Sequence, residues 1–459
     1  MGYFALVLVL VVCFVITVLV VKKPVLAISF KGQTIRAESF WLVSLVIPVV
    51  LLAVGAITPL EVLRGITASE SMNPLKILVL FMSMCFISVM LDRAGFFEYC
   101  ALKAMSRSDR DQLHLFVVFY AVIAVLTVFT SNDIIILTFT PFIYHFAKKA
   151  GINPVPYIIA EFVAANTWSL VLMIGNPTNI YIASSTGTTF IGYLRVMVLP
   201  SIAAGLTSFL MLLLIFRRQL MESLGVSSVH GHSAEKVELK DKTIAALSLV
   251  TLGLCVLTLT VGSYIDLEMW LISLVFALLL LIGAWLVNLH RSTDQAKTAD
   301  TEYQVDITDV FKGLPYSLVP FLLSMFIAVL TLKKHGITDA LSRLMFSATN
   351  HPWDVGLLFG FASALSSNII NNIPMSILFS GVLHNGATSP HLPVAIYATI
   401  IGSNIGAFFS PIGALAGVML VKILKDKGES FTALTFIKYC APVAVVSLLA
   451  SIFVLILVL

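Results

Sequence analysis

The chain has 459 residues, 59% of them hydrophobic and 11% charged. Soluble domains carry about 25% charged residues, so composition excludes a water-soluble globular protein. Continuous apolar runs of about 20 residues exclude a strand barrel, whose apolar positions alternate. The net charge of +4 comes from loop lysines and arginines that orient membrane spans and does not mark a nucleic-acid surface. The chain reads as an all-α polytopic membrane protein, multi-pass in the cell membrane.

The first span runs from Tyr3 to Val21. No basic segment precedes it, so Gly2 to Val21 reads as a span and not as a cleavable signal. Lys22, Lys23, Lys31 and Arg36 follow and place the next loop in the cytoplasm. Spans Phe40 to Ile57 and Leu75 to Leu91 come next. The mixed segment Asp92 to Lys103 suits a helix lying in the interface. Leu113 to Tyr144 holds two apolar arms around Thr130-Ser131-Asn132-Asp133. A re-entrant hairpin returns Lys148 and Lys149 to the side of Arg107 and Arg110, so a hairpin is expected. The span starting near Pro156 is interrupted at Ile174-Gly175-Asn176-Pro177-Thr178-Asn179. Glycine and proline there predict a broken helix, whose freed backbone groups must line a cavity or be buried in protein. Val196 to Phe216 ends at Arg217-Arg218.

Residues 219–242 are polar, carry Lys236, Lys240 and Lys242, and read as a cytoplasmic linker. The second half then repeats the plan. Spans cover Ile244 to Val261, Met269 to Leu289 and Leu314 to Leu332. An amphipathic stretch runs from Lys333 to Ala348, and a second hairpin from Val355 to His384. A broken span, Val394 to Leu424, is interrupted at Ser403-Asn404-Ile405-Gly406 and Ser410-Pro411-Ile412-Gly413. Leu434 to Leu459 is the last span. The expected organisation is a first repeat over 1–218, the linker 219–242 and a second repeat over 243–459. Five crossings per half is odd, so the repeats are expected to be inverted. On this plan the only Lys and Arg outside are Arg64, Lys76, Arg195, Lys333, Lys334 and Arg343. Lys333 and Lys334 run against the local charge rule.

The polar centre of the pattern is Leu365 to Met375, where Ser367, Asn368, Asn371 and Asn372 interrupt an apolar run. Unpaired amide groups in lipid cost roughly a few kcal/mol each, and Pro374 has no backbone N–H to donate. Two helical arms meeting at a polar, non-helical tip are expected, with Ser131-Asn132 as a near copy half a chain earlier. Two tips and two broken helices of an inverted repeat converge near the midplane in transporters. The solute-binding candidates are therefore Ser131, Asn132, Asn176, Thr178, Asn179, Ser367, Asn368, Asn371, Asn372, Asn404 and Ser410, with Asn166 and Ser403 also at hand. Amides and hydroxyls without a cationic side chain suit a neutral polyhydroxyl solute or a cation held by oxygens. They suit a multiply charged anion less well, although helix N-termini hold anions. The plainer reading is that these groups only join helices. Asp133 and Glu161 are the coupling-ion candidates, because an intramembrane carboxylate is by default a proton or cation site. Asp133 also suits a helix cap, and the competing place for Glu161 is the interface.

Five cysteines stand singly and indicate neither a disulfide frame nor a metal site. His230 and His232 lie in a polar loop and read as solvated. No paired intramembrane aspartates and no His-Glu-x-x-His pair occur, so neither an enzyme nor a cofactor is expected. A channel also uses oxygen-lined sites, but inverted repeats with broken helices favour a carrier.

Four segments carry a resemblance across both halves. They are Leu91-Asp92-Arg93-Ala94-Gly95-Phe96-Phe97-Glu98, Ser131-Asn132-Asp133 with Leu137 and Thr140-Pro141, Ser367 to Pro374, and Gly402 to Gly406 with Ser410 to Ala416. Together they resemble the arsenical-pump membrane subunit family of the ion transporter superfamily. The resemblance implies efflux of arsenite and antimonite driven by the proton gradient, in some members with a soluble ATPase partner. Arsenite at neutral pH is mostly an uncharged trihydroxide, which fits an amide and hydroxyl site. No cysteine lies in any of these segments, which argues against a three-thiolate mode. Two features depart from the family pattern. Ile134 and Ile135 are bulky where small residues are commoner, and Ile174 to Asn179 is similar to relatives that move other substrates. Those include sodium–proton antiporters and sodium-coupled dicarboxylate or sulfate carriers.

Overall fold

The structure is a computed structural model. It describes residues 1–23, 25–30, 33–67, 73–105, 111–221, 239–262, 264–265, 267–295, 304–349, 351–386, 388–427 and 431–459. Lys31, Arg107, Arg110, His230, His232, Lys236 and most of the linker lie outside the described residues.

In chain order α1 (Gly2–Lys22) leads into a two-stranded antiparallel ribbon, β1 (Val25–Phe30) and β2 (Gln33–Glu38), with Val25 opposite Glu38. A loop was expected there. Leu26, Ile28 and Phe30 before Lys31-Gly32, and Ile35 and Ala37 after it, are apolar at every second position, which is the hairpin signal. The expected second span is divided into α2 (Ser39–Ser44) and α3 (Val46–Ala53). Pro48 has no N–H for the Ser44 carbonyl, so the helix breaks at Leu45. Next come α4 (Pro59–Thr67), α5 (Pro74–Arg93) and α6 (Phe96–Met105). Gly95, at φ +78°, ends α5 and starts the expected interfacial helix. The chain continues through α7 (Gln112–Phe129), α8 (Asn132–Lys149), α9 (Val155–Trp168), α10 (Pro177–Ser185) and α11 (Phe190–Leu220). The later helices are α12 (Lys242–Gly262), α13 (Met269–Gln295), α14 (Ile307–Lys312), α15 (Leu318–Lys334), α16 (Ile337–Ser347) and α17 (Pro352–Ile370). The last four are α18 (Asn372–Asn385), α19 (Leu392–Ile405), α20 (Leu415–Asp426) and α21 (Ala433–Val458).

Among the described residues seven helices are long and apolar enough to cross a membrane: α5, α7, α11, α12, α13, α17 and α21. The bent pair α15 and α16, at 76°, makes an eighth if counted as one span. The molecule is thus a multi-pass helical membrane protein.

Its helices cluster into two compact units, each drawing on both sequence halves. Unit 1 comprises residues 1–78, 176–207 and 315–459, and unit 2 comprises residues 79–175 and 208–314. Unit 1 is built on the close approach of α17 and α19. A Cβ on Gly402 would collide with Ser363 Oγ and the Gly360 carbonyl, and one on Gly406 with the Ala364 backbone. Glycine is required where backbones meet this closely. The same unit accounts for the stray charge at the end of α15. Lys334 Nζ lies 2.8 Å from Glu61 Oε2 on α4, and hydrogen bonding from Lys334, then from Thr58, lowers the Glu61 pKa to about 2.

Unit 2 packs α7 on α9 through Phe116, Phe119 and Tyr157, whose ring centroids are 6.0 and 6.1 Å apart across the contact. Asp241, buried ahead of α12, takes both guanidinium nitrogens of Arg291 at 2.7 and 3.1 Å and caps Ile244 N at 3.0 Å. Its own N–H donates to the Ala94 carbonyl between α5 and α6.

Candidate functional site

In unit 2 the junction of α7 and α8 is shorter than expected. Thr130 Oγ1 donates to the Leu126 carbonyl at 2.8 Å, so its polar group is satisfied on the end of α7. Only Thr130 and Ser131 leave the helices, and Asn132 already begins α8. Helices α8 and α9 then meet through two polar rungs. Asn132 Nδ2 donates to Asn166 Oδ1 at 3.1 Å, and Asn166 Nδ2 to the Phe162 carbonyl at 2.8 Å. Two turns on, Thr140 Oγ1 reaches both carboxylate oxygens of Glu161 at 3.1 Å. Glu161 is fully buried within the protein. The Thr140 rung was not foreseen, because the antiparallel register of two helices is not written in either one alone.

One buried group at this junction is unsatisfied. Asn132 Oδ1 is buried and, among the described residues, accepts no hydrogen bond. Leaving such an acceptor unmade costs about 1–3 kcal/mol. Asp133 follows it, half-buried in the first turn of α8. Ser131 is buried and makes no side-chain cap to α8.

In unit 1 the residues around two further breaks are bound to one another. Asn176 caps α10, its Oδ1 accepting from Thr178 N and Thr178 Oγ1, each at 3.1 Å. Asn176 Nδ2 donates to Asn404 Oδ1 at 2.8 Å, and Asn404 Nδ2 donates to Asn179 Oδ1 at 2.6 Å. Thr178 Oγ1 and Ser403 Oγ are 3.1 Å apart. All five side chains are essentially inaccessible. Prolines 177 and 411 and glycines 175, 406 and 413 divide these segments, as the sequence predicts.

The stretch from Leu365 to Met375 differs from expectation. Helix α17 runs through Ser367 and Asn368 to Ile370. Ser367 Oγ donates to the Ser363 carbonyl at 2.9 Å and Asn368 Nδ2 to the Ala364 carbonyl at 2.8 Å. Bonds back to residue i−4 satisfy a polar side chain without ending the helix. Only Asn371 leaves it, at φ +70°. Its Oδ1 accepts from Ile373 N and its Nδ2 donates to the Ile412 carbonyl, both at 3.3 Å. Asn372 is buried at the start of α18. Asn368 Nδ2 also reaches the Gly406 carbonyl at 2.8 Å, and Ser410 Oγ donates to Asn368 Oδ1 at 2.6 Å. The partners named here are hydroxyl, carbonyl and backbone N–H groups, none of them cationic.

Among the described residues no group of three or more histidine, cysteine, aspartate or glutamate side chains is placed to hold a metal. The cysteines at 13, 85, 255 and 440 are free and buried, and Cys100 is free and half-buried.

Comparison with known proteins adds to this. Residues 25–400 match the family described as CitMHS, citrate transporter. The arsenical pump membrane protein of Escherichia coli K12 is 28% identical over 358 residues, 77% of this chain and 79% of that one. A putative arsenical pump membrane protein of Bacillus subtilis is 23% identical over 373 residues, 77% of this chain and 80% of that one. Among solved structures, the YdaH transporter of Alcanivorax borkumensis aligns with a TM-score of 0.52 at 13% identity, covering 99% of this chain and 97% of that one. MtrF of Neisseria gonorrhoeae, from a class of antimetabolite efflux pumps, aligns at 0.55 and 14% identity, covering 99% and 94%. These two likenesses bear on the fold alone. The chain is similar to the arsenical pump membrane proteins, and it belongs to the CitMHS citrate transporter family of membrane transporters.

Proposed function

We propose that this transporter is a proton-driven exporter of arsenite and antimonite. The observation that carries the reading is Asn132 Oδ1, a buried carbonyl oxygen with no donor among the described residues. It calls for a solute that brings an O–H group. The carboxylate of Asp133 beside it repels an anion, whereas an uncharged trihydroxide meets both. Asn132 in unit 2 and, taken separately, Asn368 with Ser410 in unit 1 are the proposed solute-binding residues. Asn176, Thr178, Asn179 and Asn404 hold the breaks of unit 1 through one another, and their part in binding is to keep those breaks open. Asp133 and Glu161 are the proposed carriers of the coupling proton.

The topology we infer has ten crossings and two re-entrant hairpins, α7 with α8 and α17 with α18. The halves 1–218 and 243–459 are inverted repeats about a cytoplasmic linker, and both termini face outward. A soluble ATPase partner belongs to the same proposal.

The family description favours a second reading, a carrier of di- or tricarboxylates. Arsenite binding to the purified protein, with sodium and citrate as competitors, separates the two. Losing a hydrogen bond and leaving its buried partner unpaired costs about 1–3 kcal/mol. Asn132→Ala and Asn368→Ala are therefore expected to weaken arsenite binding roughly ten-fold, at about 1.4 kcal/mol per decade. Unchanged affinity in both variants removes the proposed residues. Citrate binding without an arsenite signal moves the protein to the second reading.

A further inference from the structure

Unit 2 contains a cavity of about 430 Å³ that the transport reading above does not use. At about 30 Å³ per water it has room for on the order of ten waters. The rim carries the ion pair of Lys240 Nζ and Glu98 Oε2, 2.7 Å apart and half exposed. Deeper in, Asp92 Oδ1 accepts from Thr138 Oγ1 at 3.0 Å. Pro141 lines the same wall and offers no N–H to the Leu137 carbonyl, which leaves an acceptor for water. The charged and titratable groups around Asp92 are Arg93 on its own helix, Glu98 on α6, His145 on α8 and Lys240 ahead of α12. The carboxylates of Asp92 and Glu98 face Arg93, Lys240 and the imidazole of His145, so charges of both signs line the cavity and neither stands unopposed. Water and protons fit it better than an anion or a metal. Arg93, Lys240 and Lys242 gather at this end, which the positive-inside rule puts in the cytoplasm.

A second, much smaller cavity of about 10 Å³ lies against the junction of α7 and α8. That is about the least volume that holds one water. Ser88, Thr130 and Ser131 supply hydroxyls to its wall, and Cys85 lines it too. The two cavities share a side of α5. Cys85, Ser88 and Asp92 stand at i, i+3 and i+7, which is one stripe of a helix. The stripe climbs about 10.5 Å from Asp92 to Cys85, at 1.5 Å per residue. At its far end Ser131, in the wall of the small cavity, stands two residues before Asp133 in the first turn of α8.

We propose that the α5 stripe, with its two cavities, is the path by which Asp133 releases its proton to the cytoplasm. The proton leaves the Asp133 carboxyl for the single water of the small cavity. That water hands one proton to the Ser88 oxygen as Ser88 gives up its own to the Asp92 carboxylate. Asp92 then loses the proton to water in the large cavity. Only O–H bonds form and break, and one proton crosses per pass. Thr138 acts as a positioning residue that aims the Asp92 carboxylate. The proposal rests on the proton-coupled reading given above.

The test uses the full-length chain reconstituted in proteoliposomes. It measures proton-driven arsenite transport across a range of cytoplasmic-side pH, and arsenite counterflow, which needs no net proton movement. Asp92→Asn keeps the bond from Thr138, and Ser88→Ala removes one hydroxyl. Each is expected to lower proton-driven transport ten-fold or more and to flatten its dependence on cytoplasmic-side pH, with counterflow unchanged. Asp92→Glu is expected to restore the pH dependence. Wild-type rate and pH profile in both Asp92→Asn and Ser88→Ala overturn the route. Asp133→Asn tells the two failures apart. If it abolishes uphill transport while the Asp92 and Ser88 variants do not, only the route falls. If uphill transport survives Asp133→Asn, or the wild type moves no arsenite, the coupling reading falls and takes the route with it.

Discussion

Asn371 is the only residue other than glycine with a positive φ among the described residues, and its ψ of 153° puts it where almost only glycine goes. Such a backbone costs about 1–3 kcal/mol. The side chain holds it there by accepting from Ile373 N and donating to the Ile412 carbonyl. Two opposed effects follow for substitution. Asn371→Gly removes the strain along with both hydrogen bonds, so its thermal midpoint is expected to stay near that of the native chain. Asn371→Ala keeps the strain and loses the bonds, and should be less stable by about 1–3 kcal/mol at 0.5–1.5 kcal/mol per bond. Thermal unfolding of the purified variants in detergent checks this; equal midpoints for alanine and glycine would deny that strain matters at Asn371. The presence of polar groups at 131–133 and 367–372 was legible, because amides and a carboxylate stand out in an apolar run. Which atom of each is satisfied was not. Asn368 stays helical because Ala364 and Gly406 offer carbonyls at the right distance, and Gly406 comes from a distant segment.

At the scale of elements, Asp241 does for unit 2 what the glycines of α17 and α19 do for unit 1. It joins the start of α12 to the end of α13 through Arg291, and its N–H ties α12 to Ala94 beyond α5. Removing one partner of a buried pair costs about 3–5 kcal/mol. Asp241→Ala is expected to lower stability by that order. Asp241→Ala combined with Arg291→Met is expected to recover part of it, since no buried charge remains. A double-mutant cycle on the unfolding midpoints reads the difference; additive losses would show that the two side chains do not depend on each other. Most helix positions were legible from apolar length, basic ends and Gly or Pro punctuation. The division of the second span at Leu45 and the ribbon at 25–38 were missed. One rests on a missing N–H at Pro48 inside an apolar run, and the other on a period-two pattern next to a basic loop.

At the scale of the molecule, the linker carries the topology. Ser228→Cys in a Cys100→Ser background places one reactive thiol there, the remaining native cysteines being buried. Intact cells are expected to protect it from an impermeant maleimide, and permeabilised cells to expose it. Labelling of intact cells would turn the chain over and with it the sidedness of the proton path. By itself the sequence determined that this is a multi-pass helical membrane protein. Lipid forces backbone groups to pair within a helix, so hydrophobic length and charge placement are enough to read it. It also marked where helices break, since glycine and proline act locally. The tertiary structure alone decided that each compact unit combines both sequence halves. It alone paired Glu161 with Thr140, left Asn132 Oδ1 without a donor among the described residues, and set Asp92 in the wall of a cavity. Those outcomes depend on the register and rotation of one helix against another. They follow from the packing of side chains distant in sequence, which no local pattern encodes.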